Sequence, residues 1–287
     1  MSEYFNQTTK EFNMNHNGFF GVNPTVRINP IAKEVQDTFD GIYEQTKSFV
    51  QNPNSAIHGL IVSGDAGTGK THTVRRALKD TGHQKNVEYI KGGKITAASL
   101  YVKLYLNRAK HRIVILDDCD IIHHSEKRQI IPMLLGAAEL GQNREVSWET
   151  ARKNPLMEEF DVPHQFVFEG NIIWITNDRK EDIAKAIKQW RAAIFSRFNF
   201  AECNFTDEQK FMYTMHLVDN IDMLGKNCQE FTGGYPKNII EEAADYMSTN
   251  YRNLVEVTPR QAIKIADTLH HNSDPKLRKT MLQQLWK

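Results

Sequence analysis

The chain has little cysteine and no long apolar run. Its three cysteines, Cys119, Cys203 and Cys228, lack the paired spacing of a disulfide framework. The longest uncharged apolar run, residues 130–138, is far shorter than the roughly 20 residues that a membrane-spanning helix needs. The first ten residues, MSEYFNQTTK, lack the apolar core of a secretory signal. We therefore expect a cytoplasmic protein, kept in a reducing compartment, with no membrane partner.

An excess of charge of one sign is also missing. The chain has 36 basic and 35 acidic residues, and its formal net charge is +1 at pH 7. The overall charge therefore excludes a general attraction to nucleic acid or membrane, so any such preference must be local. A length of 287 residues predicts about two domains.

Apolar periodicity predicts three parts. Residues 1–30 are rich in asparagine and show no clear period, which is typical of an arm or linker. Residues 31–205 alternate helical patterns with short apolar strands, which indicates an α/β domain with a parallel sheet. From residue 206 to residue 287 only helices are predicted, so the second domain is expected to be small and all-α. The predicted strands are 59–64, 87–90, 112–118, 171–177 and 198–205.

A glycine-rich motif opens the first predicted helix of the α/β domain. Residues 64–71 read GDAGTGKT and match the phosphate-loop pattern G-x-x-x-x-G-K-[ST]. Backbone amides of such a loop surround phosphate oxygens, while Lys70 would reach the β- and γ-phosphates and Thr71 would hold Mg²⁺. A glycine-rich turn without a ligand is the alternative, and the strand–loop–helix context disfavours it. The expected nucleotide-binding residues are Gly64, Asp65, Ala66, Gly67, Thr68, Gly69, Lys70, Thr71 and His72.

Paired carboxylates end a second apolar strand. Residues 115–124 read ILDDCDIIHH. Asp117 would hold Mg²⁺ through water, and Asp118 would polarise the water that attacks the phosphate. The cysteine, aspartate and two histidines of residues 119–124 suggest a transition-metal site as the alternative. That site is disfavoured because no second set of spaced ligands accompanies them.

Five segments occur in the order found in AAA+ ATPases: GDAGTGKT, ILDD, NIIWITN, FSRF and TPRQAIKIAD. The resemblance covers about residues 30–270 and implies a nucleotide-binding α/β domain followed by a helical lid. By this resemblance, Asn177 corresponds to the sensor-1 residue, Arg197 to an arginine finger and Arg260 to the sensor-2 arginine. The family usually has glutamate where this chain has Asp118, which predicts slower hydrolysis or a differently placed water.

Each of these three assignments has a plainer alternative. Asn177 would otherwise be a turn residue at the end of a strand, and Arg197 would form a local salt bridge, with Arg191 competing for its role. Arg260 would be a surface arginine, although Thr258 and Pro259 predict a helix start just before it. A cation in the first turn opposes the helix dipole, and a nearby anionic ligand would offset that cost.

The resemblance also implies cofactors and partners. It predicts an ATPase that uses ATP and Mg²⁺, releases ADP and phosphate, and assembles with copies of itself into a ring such as a hexamer. A β-hairpin insertion is predicted at about residues 142–170, where REVSW and HQFVFEG alternate like strands, with a long structural loop as the alternative.

Local charge bears on the macromolecule that such an ATPase would act on. Residues 85–112 hold seven lysines and arginines against a single acid, Glu88, and a KGGK loop places Lys91 and Lys94 beside two glycines. A basic, glycine-containing loop suits a phosphate backbone and predicts nucleic acid as partner. A protein remodeller is the first alternative, on the basis of the hairpin and of Tyr89. A slow nucleotide-dependent switch or scaffold, based on Asp118, is the second.

Overall fold

The computed structural model of the protein describes residues 28–52, 55–141, 143–149, 154–228 and 230–287. The arm predicted over residues 1–30 therefore lies almost wholly outside the described residues. The described chain divides into one unit of residues 35–206 and a second unit of residues 207–287 together with residues 28–34.

The larger unit is built on a parallel sheet. Seven strands occur in the described residues: β1 (Gly59–Gly64), β2 (Val87–Lys91), β3 (Ile113–Asp117), β4 (Glu145–Ser147), β5 (Gln165–Val167), β6 (Asn171–Ile175) and β7 (Phe198–Cys203). Five of them form one parallel sheet in the order β2-β3-β6-β1-β7. Every residue of β1, β3 and β6 is buried. Burial on both faces explains why these strands read as continuous apolar runs.

The strand order determines which loops meet. β6 lies between β1 and β3, so the carboxyl ends of these three strands are neighbours at one edge of the sheet. Ligands of open parallel sheets bind at such an edge. The phosphate loop follows β1, Asp117 ends β3, and Asn177 comes two residues after β6.

Helices cover the sheet and make up the second unit. The larger unit contains α1 (Pro30–Gln51) from residue 35 onward, α2 (Lys70–Asp80), α3 (Ala97–Leu106), α4 (Lys127–Ala137), α5 (Pro155–Glu159), α6 (Lys180–Ala186) and α7 (Arg191–Arg197). The second unit contains α8 (Asp207–Ile221), α9 (Lys237–Asn250), α10 (Pro259–His271) and α11 (Pro275–Gln283). A parallel α/β sheet followed by helices confirms the predicted fold class. None of the helices that the structure describes has the length and apolarity needed to cross a bilayer.

One predicted helix is wrong in detail. The pattern over residues 181–196 predicts a single helix, but the structure has α6, a short 3₁₀ turn over residues 188–190, and α7. Ile187 leaves the helical conformation at φ −112° and ψ 32°, and Trp190 N–H donates to the Ile187 carbonyl at 2.8 Å. Ile183, Ile187 and Ile194 are all fully buried, so one apolar face continues across the break. The apolar period therefore does not reveal the interruption.

The second unit has its own apolar core between α9 and α10. Ile239, Ala243 and Met247 of α9 pack in one cluster with Ile265 and Leu269 of α10. Thr258 caps α10 by accepting a hydrogen bond from Gln261 N–H at 3.3 Å, and Pro259 is its first residue. This start of α10 is the one that the sequence predicts.

A separate two-stranded sheet lies in the segment predicted as a hairpin insertion. β4 and β5 pair in antiparallel register, with Val146 opposite Phe166, and both side chains are buried. The Tyr101 ring of α3 lies 5.1 Å from the Phe166 ring and 5.6 Å from the Trp148 ring, centroid to centroid. These aromatic contacts attach the small sheet to α3 within the larger unit.

Candidate nucleotide site

The phosphate loop has the backbone conformation that its glycines allow. Gly64, Gly67 and Gly69 have φ values of 124°, 74° and 113°, in the region that side chains rarely adopt. A Cβ added at Gly64 would lie 2.4 Å from the Cys203 carbonyl oxygen of β7, so only glycine fits there. Asp65 N–H also donates to that carbonyl at 3.3 Å, which ties the loop to the neighbouring strand.

Lys70 is buried at the start of α2. Its side-chain amine donates to the carbonyl oxygens of Gly64 and Asp65, each at 2.8 Å, and to Asn177 Oδ1 at 3.0 Å. All three acceptors within the described residues are neutral oxygens. Burial lowers the pKa of Lys70, and neighbouring acidic groups only partly oppose that change. The loop therefore holds a desolvated cation among neutral oxygen acceptors.

Thr71, in the first turn of α2, and Asp117, at the end of β3, face each other through oxygen atoms only. Thr71 Oγ1 donates to Asp117 Oδ1 at 3.0 Å and contacts Oδ2 at 3.2 Å. The Thr71 oxygen keeps its lone pairs while its proton is donated, so it remains able to bind a cation. Mg²⁺ prefers oxygen ligands and commonly uses one or two protein carboxylates together with substrate phosphates. The donor set of Thr71 and Asp117 fits that ion.

The alternative transition-metal site does not form. Over the ranges that the structure describes, no group of three or more His, Cys, Asp or Glu side chains is arranged to hold a metal ion. Cys119 is buried, with its sulfur 3.6 Å from the Ile90 carbonyl oxygen, and burial raises the pKa of its thiol to about 11. His123 instead faces Asp178 at 3.4 Å.

Asp118 and Asn177 face each other at the same edge of the sheet. Asn177 Nδ2 donates to Asp118 Oδ1 at 2.9 Å while Asn177 Oδ1 accepts from Lys70, so one amide joins the two charged groups. Asp118 is exposed and has φ 53°, and its N–H donates to the Ile175 carbonyl at 3.1 Å. Aspartate adopts this left-handed conformation more readily than most residues. The local backbone thus favours the shorter acid at this position.

Two contacts at the site come from residues that the sequence reasoning missed. Tyr89 of β2, used at the sequence level only as a basis for a protein substrate, is half-buried and donates its hydroxyl proton to Asp117 Oδ2. Arg179 pairs with Asp65 of the phosphate loop at 3.5 Å. The sequence offers one hint of the contact between Arg179 and the phosphate loop: Arg179 comes two residues after Asn177, which is itself a predicted site residue.

Arg197 forms hydrogen bonds with residues of its own chain. It is the last residue of α7, and its Nε and Nη2 atoms donate to Glu139 Oε2 at 2.8 Å and 2.5 Å. The hydrogen bond from Arg197 lowers the pKa of Glu139. Arg197 Nη1 also donates to the Ala193 carbonyl oxygen. Within the described chain it therefore bonds to no residue of the phosphate loop.

The other predicted residues occupy exposed positions. Ala66 and His72 are exposed on the phosphate loop and in the first turn of α2. Arg191 is exposed at the start of α7. Arg260 is the second residue of α10 and belongs to the helical unit, where it is exposed as well.

Two lysines of the basic segment 85–112, Lys103 and Lys110, lie beside acids. Lys103 pairs with Glu88, Lys110 lies 3.8 Å from Glu169, and Arg112 Nε donates to Asn107 Oδ1 at 3.1 Å. Lys91 and Lys94 are exposed and flank two glycines with φ values of 64° and 78°. The loop of residues 91–94 therefore presents two exposed positive charges.

Comparison with known protein families agrees with a nucleotide site at this edge of the sheet. The model of the family "ATPase family associated with various cellular activities (AAA)" matches residues 60–199. The chain therefore contains an AAA domain. The matched range begins in β1 and ends in β7, so it includes the phosphate loop, both aspartates, Asn177 and Arg197.

A phage protein and two solved structures are also similar to this chain. A protein of Enterobacteria phage T4, described as an uncharacterized 36.7 kDa protein of the nrdC-mobD intergenic region, is 29% identical over 219 residues. The match spans 75% of this chain and 64% of the phage protein, which is less than two thirds of that relative.

The solved structures are more distant. The RuvB Holliday junction branch migration motor of Thermotoga maritima has a TM-score of 0.47 and 12% identity, covering 90% of this chain and 70% of RuvB. Domain III of the T. maritima replication initiation protein DnaA has a TM-score of 0.46 and 14% identity, covering 91% of this chain and all of that domain.

Proposed function

We propose that the protein binds ATP with Mg²⁺ and hydrolyses the ATP to ADP and phosphate. The observation that carries the proposal is the Lys70 ammonium, buried beside the glycine loop with three neutral acceptors. A buried charge whose hydrogen-bond acceptors are all neutral is costly, and phosphate oxygens would offset that cost through charge-assisted hydrogen bonds. The amino end of α2 would contribute backbone N–H groups to the same phosphates.

The remaining residues have separate roles in this proposal. Thr71 and Asp117 would hold Mg²⁺, which when bound neutralises charge on the phosphate oxygens. The Asp118 carboxylate would accept a proton from the water whose oxygen attacks the γ-phosphorus, as the bond from that phosphorus to the ADP oxygen breaks. Asn177 would fix the positions of Asp118 and Lys70 relative to each other through its two hydrogen bonds.

Replacing Lys70 by alanine should weaken ATP binding at least about 100-fold. The lost ammonium would have made two or more charge-assisted hydrogen bonds, each worth roughly 1.5–3 kcal/mol. Calorimetric titration of the purified chain with ATP and Mg²⁺ measures the change. Lys79→Ala removes an exposed lysine from the same helix and should bind like the wild type. Wild-type affinity in the Lys70 variant would overturn the assignment of the phosphate loop.

We further propose that the protein assembles with copies of itself, in a ring such as a hexamer. Arg197 would then leave its local salt bridge with Glu139, which is the plainer alternative for this residue, and enter the nucleotide site of a neighbouring subunit. Residues 206–287 would act as a lid that supplies Arg260 to the nucleotide. These roles complete a cytoplasmic ATPase that remodels or loads a macromolecule.

Nucleic acid is the macromolecule that the surface supports best. Lys91 and Lys94 are exposed on a loop with two left-handed glycines, whereas neighbouring cations such as Lys103 are neutralised by acids. Exposed lysines beside a backbone that a ligand can approach closely suit a phosphate chain. Tyr89, the residue that would favour a protein substrate, is bound to Asp117 inside β2. A protein remodeller and a slow switch are the competing outcomes of the test below.

Replacing both Lys91 and Lys94 by alanine should weaken binding of single-stranded DNA and its stimulation of ATP hydrolysis. If each lysine neutralises one phosphate, the slope of log affinity against log salt should fall by about 1.4. Fluorescence anisotropy over a series of salt concentrations measures this slope. The pair Lys276→Ala and Lys279→Ala removes the same charge from α11 and should leave the slope unchanged.

An ATP hydrolysis assay separates the three candidate functions, which are action on nucleic acid, protein remodelling and a slow switch. Hydrolysis is measured alone, with single-stranded DNA, with double-stranded DNA and with an unfolded protein. Stimulation by the unfolded protein alone would contradict the nucleic-acid proposal and favour the remodeller. Binding of ATP without turnover under any condition would favour the switch.

A further inference from the structure

Tyr89 approaches the nucleotide site from the neighbouring strand. β2 and β3 are parallel, with Tyr89 opposite Ile115 and Lys91 opposite Asp117. This register lets the long tyrosine side chain reach past its strand partner, and its hydroxyl donates to Asp117 Oδ2. Burial raises the pKa of Tyr89, and the hydrogen bond to Asp117 adds to the effect. The Tyr89 hydroxyl is thus a hydrogen-bond donor to the carboxylate that would hold Mg²⁺.

Asp117 is held at its main chain and at both side-chain oxygens. Thr71 Oγ1 donates to Oδ1, Tyr89 donates to Oδ2, and Gly92 N–H donates to the backbone carbonyl at 2.8 Å. The Arg75 guanidinium lies 4.4 Å from the centre of the Tyr89 ring and packs against it. The terminal torsion of an aspartate is broad, so a single donor would leave the carboxylate free to turn. A second donor on the other oxygen fixes its plane.

We infer that Tyr89 is a positioning residue for the divalent cation of this site, acting through the orientation of the Asp117 carboxylate. The inference rests on the proposed function, since it assigns a partner to the residue that would hold Mg²⁺. Hydrogen-bond partners of metal ligands orient them, and their loss typically costs about 10-fold to 100-fold in metal affinity or activity.

A second tyrosine provides a matched control. Tyr43 of α1 donates to Asp80 Oδ2 at 2.9 Å, and the Arg76 guanidinium lies 5.4 Å from its ring centre. This arrangement repeats the chemistry around Tyr89, with an aspartate that is outside the nucleotide site. Loss of the Tyr43 hydroxyl therefore reports what such a contact contributes to folding alone.

The test compares binding of the non-hydrolysable analogue AMP-PNP with Mg²⁺ and with EDTA. Calorimetry gives a Kd in each condition, and the ratio of the two is the coupling between nucleotide and metal. Tyr89→Phe keeps the ring that packs on Arg75 and removes the hydroxyl. Its Kd in EDTA should stay within about twofold of wild type while the Mg²⁺ advantage falls about 10-fold. Tyr43→Phe should leave both values unchanged.

Other results would overturn the inference. An unchanged Mg²⁺ advantage in Tyr89→Phe, or an equal loss of affinity in both conditions, would show that the hydroxyl does not act on the cation. A Tyr89→Phe chain that fails to fold, judged by circular dichroism against Tyr43→Phe, would assign it a structural role instead. Wild-type protein that binds no AMP-PNP would overturn the proposed function itself.

Discussion

Replacing Asp118 by asparagine should lower the rate of ATP hydrolysis about 10²-fold to 10⁴-fold while leaving ATP affinity near the wild-type value. The amide cannot take a proton from the attacking water, and general-base catalysis is typically worth that factor. Lys70, Thr71 and Asp117, which would hold the phosphates and the cation, are unchanged. Phosphate release under saturating ATP and calorimetric ATP binding measure the two quantities separately.

In this structure, the Asp118→Asn substitution should change the chemistry of the side chain without disturbing the local backbone. Asparagine adopts the left-handed backbone of residue 118 as readily as aspartate does. Its side-chain oxygen still accepts the hydrogen bond from Asn177 Nδ2. Asp120→Asn removes a carboxylate two residues away and should hydrolyse ATP normally. If the Asp118 variant kept a rate within tenfold of wild type, another group would polarise the water.

The phosphate loop, the sheet and the paired aspartates were predictable because each depends on neighbours in sequence. The pattern GDAGTGKT specifies glycines at three positions that require positive φ, and β1, β3 and β6 are buried on both faces, which leaves a run of apolar letters. The rule that parallel strands present their carboxyl ends together then brings Asp117 near the loop.

The contacts that complete the site depend on tertiary pairing, which those patterns do not contain. Tyr89 reaches Asp117 only because β2 and β3 pair in a particular register. Arg197 meets Glu139 because α7 packs beside the end of α4. The break at Ile187 is invisible for a related reason, since the apolar face continues through the 3₁₀ turn. Periodicity reports which face is buried and says nothing about partners from distant segments.

Replacing Arg197 by alanine should reduce ATP hydrolysis about 10³-fold to 10⁵-fold, the contribution typical of an arginine finger. ATP affinity should be largely kept, because Arg197 makes no bond to the phosphate loop of its own chain. Its pair with Glu139 is partly exposed, so its loss should cost at most about 1 kcal/mol of folding stability. Steady-state hydrolysis, ATP calorimetry and thermal unfolding of the same preparation measure the three effects. Arg191→Ala is the control, since that exposed arginine competes for the role by position alone.

Mixing two inactive variants distinguishes an arginine that acts between subunits from one that acts within its own chain. Arg197→Ala subunits keep Asp118, and Asp118→Asn subunits keep Arg197. In a randomly mixed ring of equal parts, roughly a quarter of the head-to-tail interfaces would combine an intact Asp118 with an intact neighbouring Arg197. Hydrolysis should therefore return to a measurable fraction of the wild-type rate. If both groups had to come from one chain, no site in the mixture would be complete, and the rate would stay at the level of the separate variants.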